Sequence, residues 1–185
     1  MGLLRLHHRL ASSRANGPGL RAVLWFQGCS LGCPGCFNPE THAFEGGERL
    51  HPDEAFEWLR GLPDIQGVTF SGGEPLQQPQ PLLALLQRLR RDTHLSTLLF
   101  TGFRWEEIRH HEILKNLDVV LAGRFQAEHR VARGLLGSSN KTVHFLTDRY
   151  GPADLAELPE AEVVIDAEGN LVFTGIDPLE AARGL

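Results

Sequence analysis

Short apolar runs alternate along the chain with amphipathic stretches of helical spacing. RAVLWFQ (residues 21–27), GVTF, LSTLLF and DVVLA are rich in β-branched, leucine and aromatic residues and predict buried strands. Between them, PDEAFEWLRGL, a segment from near Pro81 through LLALLQRLRRD, and WEEIRHHEILKNL predict helices. KTVHFL and EVVIDAEGNLVFTG predict the last strands, the second of them as a hairpin that turns at residues 168–170.

Strands that alternate with helices predict βα units around a mainly parallel sheet. We therefore expect an α/β fold in a single domain over residues 1–185, without internal repeats or linkers. In such folds, ligands bind beyond the carboxyl ends of the parallel strands. QGC, SGGEP, TGF and AGRF each follow a predicted strand. The sequence thus predicts that four separate segments meet at one edge of the sheet.

Composition and charge narrow the classes of function. The 185 residues are 42% hydrophobic and 22% charged, which is typical of globular proteins that bury a core without disulfides. The formal net charge of −5 gives no electrostatic reason to expect a nucleic-acid partner. We find neither a signal-peptide pattern in MGLLRLHHRLASS nor the ~20 apolar residues that a membrane span needs. We therefore expect a cytoplasmic protein without a membrane partner.

All three cysteines of the chain, Cys29, Cys33 and Cys36, lie in the segment QGCSLGCPGCFNPETH. Clustered thiols in odd number indicate a metal site or catalysis in a reducing compartment, and not disulfides. One interpretation is a structural zinc ion with His42 as the fourth ligand. The other is an iron–sulfur cluster, on which three thiolates would leave one of four irons without a protein ligand. The loop by itself leaves both interpretations open.

The segment SGGEP offers a second candidate site at a strand end. Gly72 and Gly73 allow the backbone to approach a ligand closely, and Glu74 supplies a carboxylate suited to an ammonium group. The alternative is an ordinary strand-to-helix turn. The position of SGGEP one βα unit after the cysteine loop favours the functional interpretation.

The pattern CxxxCxxC followed by SGGEP resembles the radical S-adenosylmethionine superfamily. GPGLRAVLWFQGC is similar to the opening of the glycyl-radical-enzyme activases, and the resemblance continues through LLFTGFRWEEI, LDVVLAGRF and GSSNKTV. It extends over residues 16–146 and is strongest to the activating proteins of anaerobic ribonucleoside-triphosphate reductase. The resemblance implies an incomplete β/α barrel in this core, with a strand or hairpin extension over residues 147–185.

The resemblance also implies two cofactors. A 4Fe-4S cluster is expected on Cys29, Cys33 and Cys36, and the amino and carboxylate groups of S-adenosyl-L-methionine would chelate its open iron. One electron from the reduced cluster then breaks the C5′–S bond and gives methionine and a deoxyadenosyl radical. No further catalytic residue is expected. The expected contacts to the S-adenosyl-L-methionine are Gly72, Gly73, Glu74, Phe37, Thr101, Arg124 and Ser139.

Some of these positions have a second interpretation. Phe37 either packs on the adenine or shields the cluster, and Thr101 either lines the pocket or ends its strand. Ala122 stands where the activases often carry an acid. Arg124 either binds the carboxylate of the cofactor, faces a partner protein or is an ordinary surface residue. Ser139 either binds the ligand or caps the following element.

The resemblance favours an enzyme that installs a glycyl radical on a partner protein, with an electron donor such as flavodoxin or ferredoxin. A small chain supports this expectation because it leaves no room for a substrate domain. One alternative is a radical enzyme that acts on a small molecule or peptide, similar to the deazapurine carboxylate synthases. A zinc-bound structural module and a ferredoxin-like electron carrier are the others, and three cysteines disfavour the last.

Overall fold

The computed structural model describes residues 2–165 and 169–176 of the chain. The strands in this part are β1 (Leu4–Ser13), β2 (Arg21–Phe26), β3 (Glu48–Leu50), β4 (Gly67–Gly72), β5 (Ser96–Thr101), β6 (Val119–Ala122), β7 (Arg130–Arg133), β8 (Leu136–Ser138), β9 (Thr142–Phe145), β10 (Ala161–Ile165) and β11 (Leu171–Gly175). Seven of them form one sheet in the order β3-β1-β2-β4-β5-β6-β9. The remaining four form two separate hairpins, β7 with β8 and β10 with β11.

Four α-helices in the part of the chain that the structure describes bury apolar residues in the core. They are α1 (Pro52–Gly61), α2 (Pro79–Asp92), α3 (Trp105–Ile108) and α4 (Pro152–Ala156). In α2, the leucines at positions 82, 85, 86 and 89 are all buried, at the spacing of one helical face. In the described residues, no helix has the length and apolar character needed to cross a membrane.

The centre of the sheet is parallel. β2 pairs with β4, β4 with β5 and β5 with β6 in parallel registers. β1 and β3 add antiparallel strands on one side, and β9 adds another on the opposite side. The α/β class, the single domain and the parallel arrangement of the βα units are confirmed. The incomplete barrel and the division between a core and an extension after residue 146 stay predictions.

Several segments differ from the sequence prediction, because β1, β3, the hairpin of β7 and β8, and α4 are not predicted. In β1 the buried apolar residues are Leu4, Leu6 and Leu10. WEEIRHHEILKNL forms α3 and then a separate 3-10 helix over Glu112–Asn116. The single predicted helix breaks here because the His111 side chain accepts the Ile113 N–H and starts a new turn.

The C-terminal hairpin forms with the register expected of a tight antiparallel pair. Ala161 lies opposite Gly175 and Ile165 opposite Leu171. The predicted turn at residues 168–170 lies partly outside the described residues, since residue 168 is not among them. The Glu162 carboxylate ties the hairpin to the end of β1, where it accepts hydrogen bonds from the Ser13 hydroxyl at 2.7 Å and the Arg14 N–H at 2.9 Å.

Arg21 joins the amino ends of three parallel strands. Its side chain is fully buried. Its Nε donates to the Thr69 hydroxyl at 2.9 Å, and its two terminal nitrogens donate to the Ser96 hydroxyl and carbonyl, to the Val68 carbonyl and to the Pro18 carbonyl. Burial lowers the pKa of Arg21 to about 10, which leaves it charged at neutral pH. The five donors of the guanidinium are thereby all used.

Asp118 is the buried acid at the same end of the sheet. Its carboxylate accepts the Thr97 N–H at 2.8 Å and the Thr147 hydroxyl at 2.8 Å. Arg90 adds a charged hydrogen bond at 3.1 Å. Asp118 therefore links the start of β5 to the chain that follows β9.

Candidate functional site

A cavity of about 320 Å³ opens where the parallel strands end. Its wall includes the cysteine loop, residues 71–74 at the end of β4, residues 100–102 at the end of β5, and Phe125 after β6. The four segments that the sequence predicts to converge at one edge of the sheet therefore do so. Residues 172–176 of the C-terminal hairpin form a further wall.

The cysteine loop is closed at its base by backbone hydrogen bonds. The Gly28 N–H donates to the Thr41 carbonyl at 2.7 Å, and the Cys29 N–H donates to the His42 carbonyl at 3.1 Å. The loop leaves directly from the end of β2, which belongs to the rigid parallel centre of the sheet. The thiols are thus carried by a loop with both ends fixed.

The three thiols are free, half-buried and line the same cavity. Burial raises the pKa of the Cys29 and Cys36 thiols above the ordinary value, and the nearby Glu74 charge raises that of Cys29 further. Among residues 2–165 and 169–176, no three His, Cys, Asp or Glu side chains lie close enough together to hold a single metal ion. Thiolates that face one cavity are the donor set of an iron–sulfur cluster, so these residues fit that cofactor.

Gly72 and Gly73 are required by the close approach of two chain segments. Gly72 has φ +94°, and a Cβ there would lie 2.5 Å from the Phe26 nitrogen. A Cβ on Gly73 would lie 2.5 Å from the Gly28 carbonyl oxygen. The glycines therefore allow the end of β4 to touch the start of the cysteine loop, and both also line the cavity. Their contact with the cofactor stays a prediction.

Glu74 is fully buried at the cavity wall. Its carboxylate accepts the Leu76 N–H at 2.9 Å, the Thr101 hydroxyl at 2.9 Å and the Gly102 N–H at 2.8 Å. Burial raises the pKa of Glu74 from its ordinary 4.5 to about 7, although these hydrogen bonds oppose the increase. Glu74 thus joins the ends of β4 and β5, and Thr101 both ends its strand and lines the cavity.

Of the other three predicted cofactor contacts, Phe37 lines the cavity, while Arg124 and Ser139 lie outside its described wall. The Phe37 ring packs against Phe125 with their centroids 4.4 Å apart. The Arg124 guanidinium forms an ion pair with Glu107 and donates to the Gly102 carbonyl at 3.2 Å. Ser139 is exposed, and its N–H donates to the His129 carbonyl at 2.8 Å. Their roles toward the cofactor stay predictions.

Lys141 is a cavity residue that the sequence analysis does not single out. It is half-buried in the wall. Burial lowers its pKa, while the negative charges of Cys33, Glu74 and Cys36 act in the opposite direction. The one feature of the sequence that marks Lys141 is its residue type. Lysine is rare in this chain, where Lys115 and Lys141 are the two lysines among 18 lysines and arginines.

His7 and His8 are the other additions to the site. Their pairing in a polar segment predicts that they face solvent, and both are exposed, yet both also lie at the cavity wall. The His7 ring is within 2.9 Å of the Gln27 side-chain oxygen, and the His8 ring packs on Trp25. Adjacent residues of a regular strand point to opposite faces, but the pairing of β1 with β2 has a register shift between Leu6 and His8. This irregularity becomes visible only once the strand is known to pair with β2.

Comparison with known proteins identifies relatives of the chain. Residues 15–144 match the family described as a 4Fe-4S single cluster domain. The chain is 39% identical over 123 residues to the pyruvate formate-lyase-activating enzyme of Clostridium pasteurianum, with 63% of this chain and 50% of that protein covered. It thus spans half the length of that relative.

Two further relatives are anaerobic ribonucleoside-triphosphate reductase-activating proteins. Identity to that of Salmonella typhi is 31% over 153 residues, with 77% of this chain and 99% of the relative covered. Identity to that of Enterobacteria phage T4 is 32% over 138 residues, with 72% of this chain and 88% of the relative covered. The family match decides between the two interpretations of the cysteine loop in favour of the cluster.

Proposed function

The chain belongs to the 4Fe-4S single cluster domain family and is an enzyme of the glycyl-radical activase type, and from this premise we propose that it cleaves S-adenosyl-L-methionine reductively to a deoxyadenosyl radical. Its cofactors are a 4Fe-4S cluster and S-adenosyl-L-methionine. We propose further that it installs a glycyl radical on a partner enzyme similar to anaerobic ribonucleotide reductase. The near-complete coverage of the Salmonella typhi relative supports this partner class.

The observation that carries the proposal is the set of three free thiols on one cavity wall. Cys29, Cys33 and Cys36 would hold the cluster at three of its irons, and the chain has no fourth cysteine. A cluster held by these thiols would supply the electron for cleavage of S-adenosyl-L-methionine. The Phe37–Phe125 pair gives the cavity wall an apolar surface.

Gly72, Gly73 and Glu74 would position the methionine part of the cofactor. The two glycines present backbone without side chains at the cavity wall. The Glu74 carboxylate accepts from three donors of the protein, and the Thr101 hydroxyl lies within hydrogen-bond distance of both of its oxygens. Its negative charge is suited to the ammonium group of S-adenosyl-L-methionine.

The fold suggests how a partner would reach this site. We propose that the sheet is an incomplete β/α barrel whose open side receives a segment of the partner polypeptide. The electron would come from a small donor such as flavodoxin or ferredoxin. His7 and His8 are exposed at the wall of the same cavity, where an entering chain would meet them.

The proposed function is tested by anaerobic reconstitution with iron and sulfide, reduction, and assay for deoxyadenosine and methionine. Wild-type protein and a Ser30→Ala control in the same loop should cleave the cofactor, and Cys29→Ala, Cys33→Ala and Cys36→Ala should not. Addition of an anaerobic ribonucleotide reductase should then give a glycyl radical by electron paramagnetic resonance.

Each other outcome has a definite meaning. A fully loaded, reducible cluster that leaves S-adenosyl-L-methionine intact would contradict the proposal. Cleavage without radical transfer to a glycyl-radical enzyme would favour a small-molecule or peptide substrate. Binding of zinc alone would return the loop to a structural role.

A further inference from the structure

Glu74 and Lys141, two charged residues of the cavity wall, differ in how many hydrogen bonds they make with the protein. Glu74 has three hydrogen-bond donors from the protein. Lys141 is the one lysine or arginine in the described cavity wall. Within residues 2–165 and 169–176, its ammonium group has no hydrogen bond and no ion pair, although its charge is attracted to Cys33, Glu74 and Cys36.

The backbone around Lys141 fixes where its side chain starts. Its N–H donates to the Ser138 carbonyl at 3.2 Å. Its stem packs on the turn after β6, where a Cβ on Gly123 would lie 3.3 Å from the Lys141 Cα and 3.5 Å from its Cγ. The Gly123 N–H in turn donates to the Thr101 carbonyl at 3.1 Å. The lysine is therefore anchored to the strand end that also carries the hydrogen bond to Glu74.

An ammonium group that is partly removed from water is costly unless an anion faces it. The carboxylate of Glu74 already accepts hydrogen bonds from three groups of the protein. Two further cations lie near this edge. Arg124 is paired with Glu107 and donates to the Gly102 carbonyl. The Arg130 guanidinium lies outside the described wall and packs over the Phe37 ring at 5.0 Å. Lys141 is thus the cation of the described cavity wall that the fold leaves available to an anionic ligand.

We propose that the ammonium group of Lys141 binds the carboxylate of S-adenosyl-L-methionine. This inference rests on the proposed function, because it requires the cofactor to occupy this cavity. The carboxylate and the amino group of the cofactor are both attached to the α-carbon of its methionine part, so they reach the cavity wall side by side. Glu74 then faces the amino group and Lys141 the carboxylate. Lysine suits this role as a compact point charge on a flexible stem.

The test measures equilibrium binding to the reconstituted protein with the cluster oxidised, so that no turnover occurs. The ligands are S-adenosyl-L-methionine and decarboxylated S-adenosylmethionine, which lacks only the carboxylate. The proteins are wild type, Lys141→Met, Lys141→Arg and the control Lys115→Met, which changes an exposed lysine. Iron and sulfide contents are matched before each measurement.

Lys141→Met should weaken S-adenosyl-L-methionine binding by about tenfold or more, because a charge-assisted hydrogen bond is lost. It should leave binding of the decarboxylated ligand within about twofold of the wild type. Lys141→Arg should recover part of the affinity, and Lys115→Met should behave as wild type.

Three results would overturn the inference or its premise. Unchanged S-adenosyl-L-methionine affinity in Lys141→Met would overturn it, and a shifted reduction potential alongside would assign Lys141 to charge balance at the cluster. Equal weakening of both ligands would also overturn it, since the carboxylate would then not be the group bound. Absence of cofactor binding by wild-type protein would instead contradict the proposed function itself.

Discussion

Each end of the parallel strands holds a buried acidic side chain, and the basic residues Arg21 at the amino ends and Lys141 at the carboxyl ends differ in their partners. At the amino ends, Arg21 and Asp118 are buried and have hydrogen-bond partners on neighbouring strands and turns. At the carboxyl ends, Glu74 is equally well bound. Lys141 differs from the other three, because its ammonium group has no partner in the described part of the chain.

This difference separates charges that stabilise the fold from a charge available for binding. Arg21, Asp118 and Glu74 each link two or more segments of the sheet, so hydrogen bonds of the protein offset part of their desolvation. Lys141 is desolvated without this compensation and lies in the cavity beside the thiols. Charges of this kind concentrate at functional sites.

The largest effect is expected at the amino ends of the strands. Arg21→Met leaves the hydroxyl and carbonyl acceptors of Thr69, Val68 and Ser96 without their donor. The free energy of unfolding of the cluster-free protein should fall by roughly 3–5 kcal/mol in urea titrations at pH 7. Arg91→Met is the matched control, since that side chain is 71% exposed, and should leave the urea midpoint unchanged. Equal midpoints would contradict a structural role for Arg21.

An intermediate effect is expected at Glu74, and it depends on pH. The pKa of Glu74 rises from 4.5 to about 7 on folding, so the carboxyl group takes up a proton as the chain folds. Its stabilising contribution is complete below pH 4.5 and is lost as the pH rises to about 7, by roughly 3 kcal/mol. Urea titrations of the cluster-free protein across this range should show the loss in wild type and in the exposed control Glu45→Gln. Glu74→Gln should lack it, and an unchanged pH dependence in this variant would refute the assignment.

The smallest effect on the free energy of unfolding is expected at Lys141, which contrasts directly with Arg21. Lys141→Met removes no hydrogen bond or ion pair of the described chain, and it relieves the burial of a charge. The free energy of unfolding of the cluster-free protein should change by less than about 0.5 kcal/mol, as for Lys115→Met. A loss as large as that of Arg21→Met would mean that Lys141 is part of the structural framework.

Much of the fold could be predicted because the parallel strands are short, buried and apolar. RAVLWF, GVTF, LSTLLF and VVLA are recognisable from composition alone, and the segments after them converge because parallel strands end at one edge. The sequence does not predict β1, although Leu4, Leu6 and Leu10 lie at even positions among polar residues. The histidines and arginines between them make the segment polar, and its pairing with β2 is a long-range interaction that the local pattern does not contain.

The partners of the basic residues at the two ends of the strands could not be predicted from the sequence. Arg21 stands at the start of an apolar strand, and only the approach of two neighbouring strands supplies its acceptors. The sequence indicates Arg124 as the basic residue near the cofactor, because it follows a strand end. Its ion pair with Glu107 depends on the position of α3, which breaks earlier than predicted. Lys141 lies at the cavity because Gly123 lets its stem pack closely.

The two outer strands of the sheet are short, and this affects how readily the sheet can pair with another molecule. The seven-stranded sheet ends in β3 with three residues on one side and β9 with four on the other. Strands this short present few backbone groups to another chain, and Glu48 and Arg49 place charges on one of these edges. We expect these two edges to resist pairing with the sheet of another molecule at high concentration.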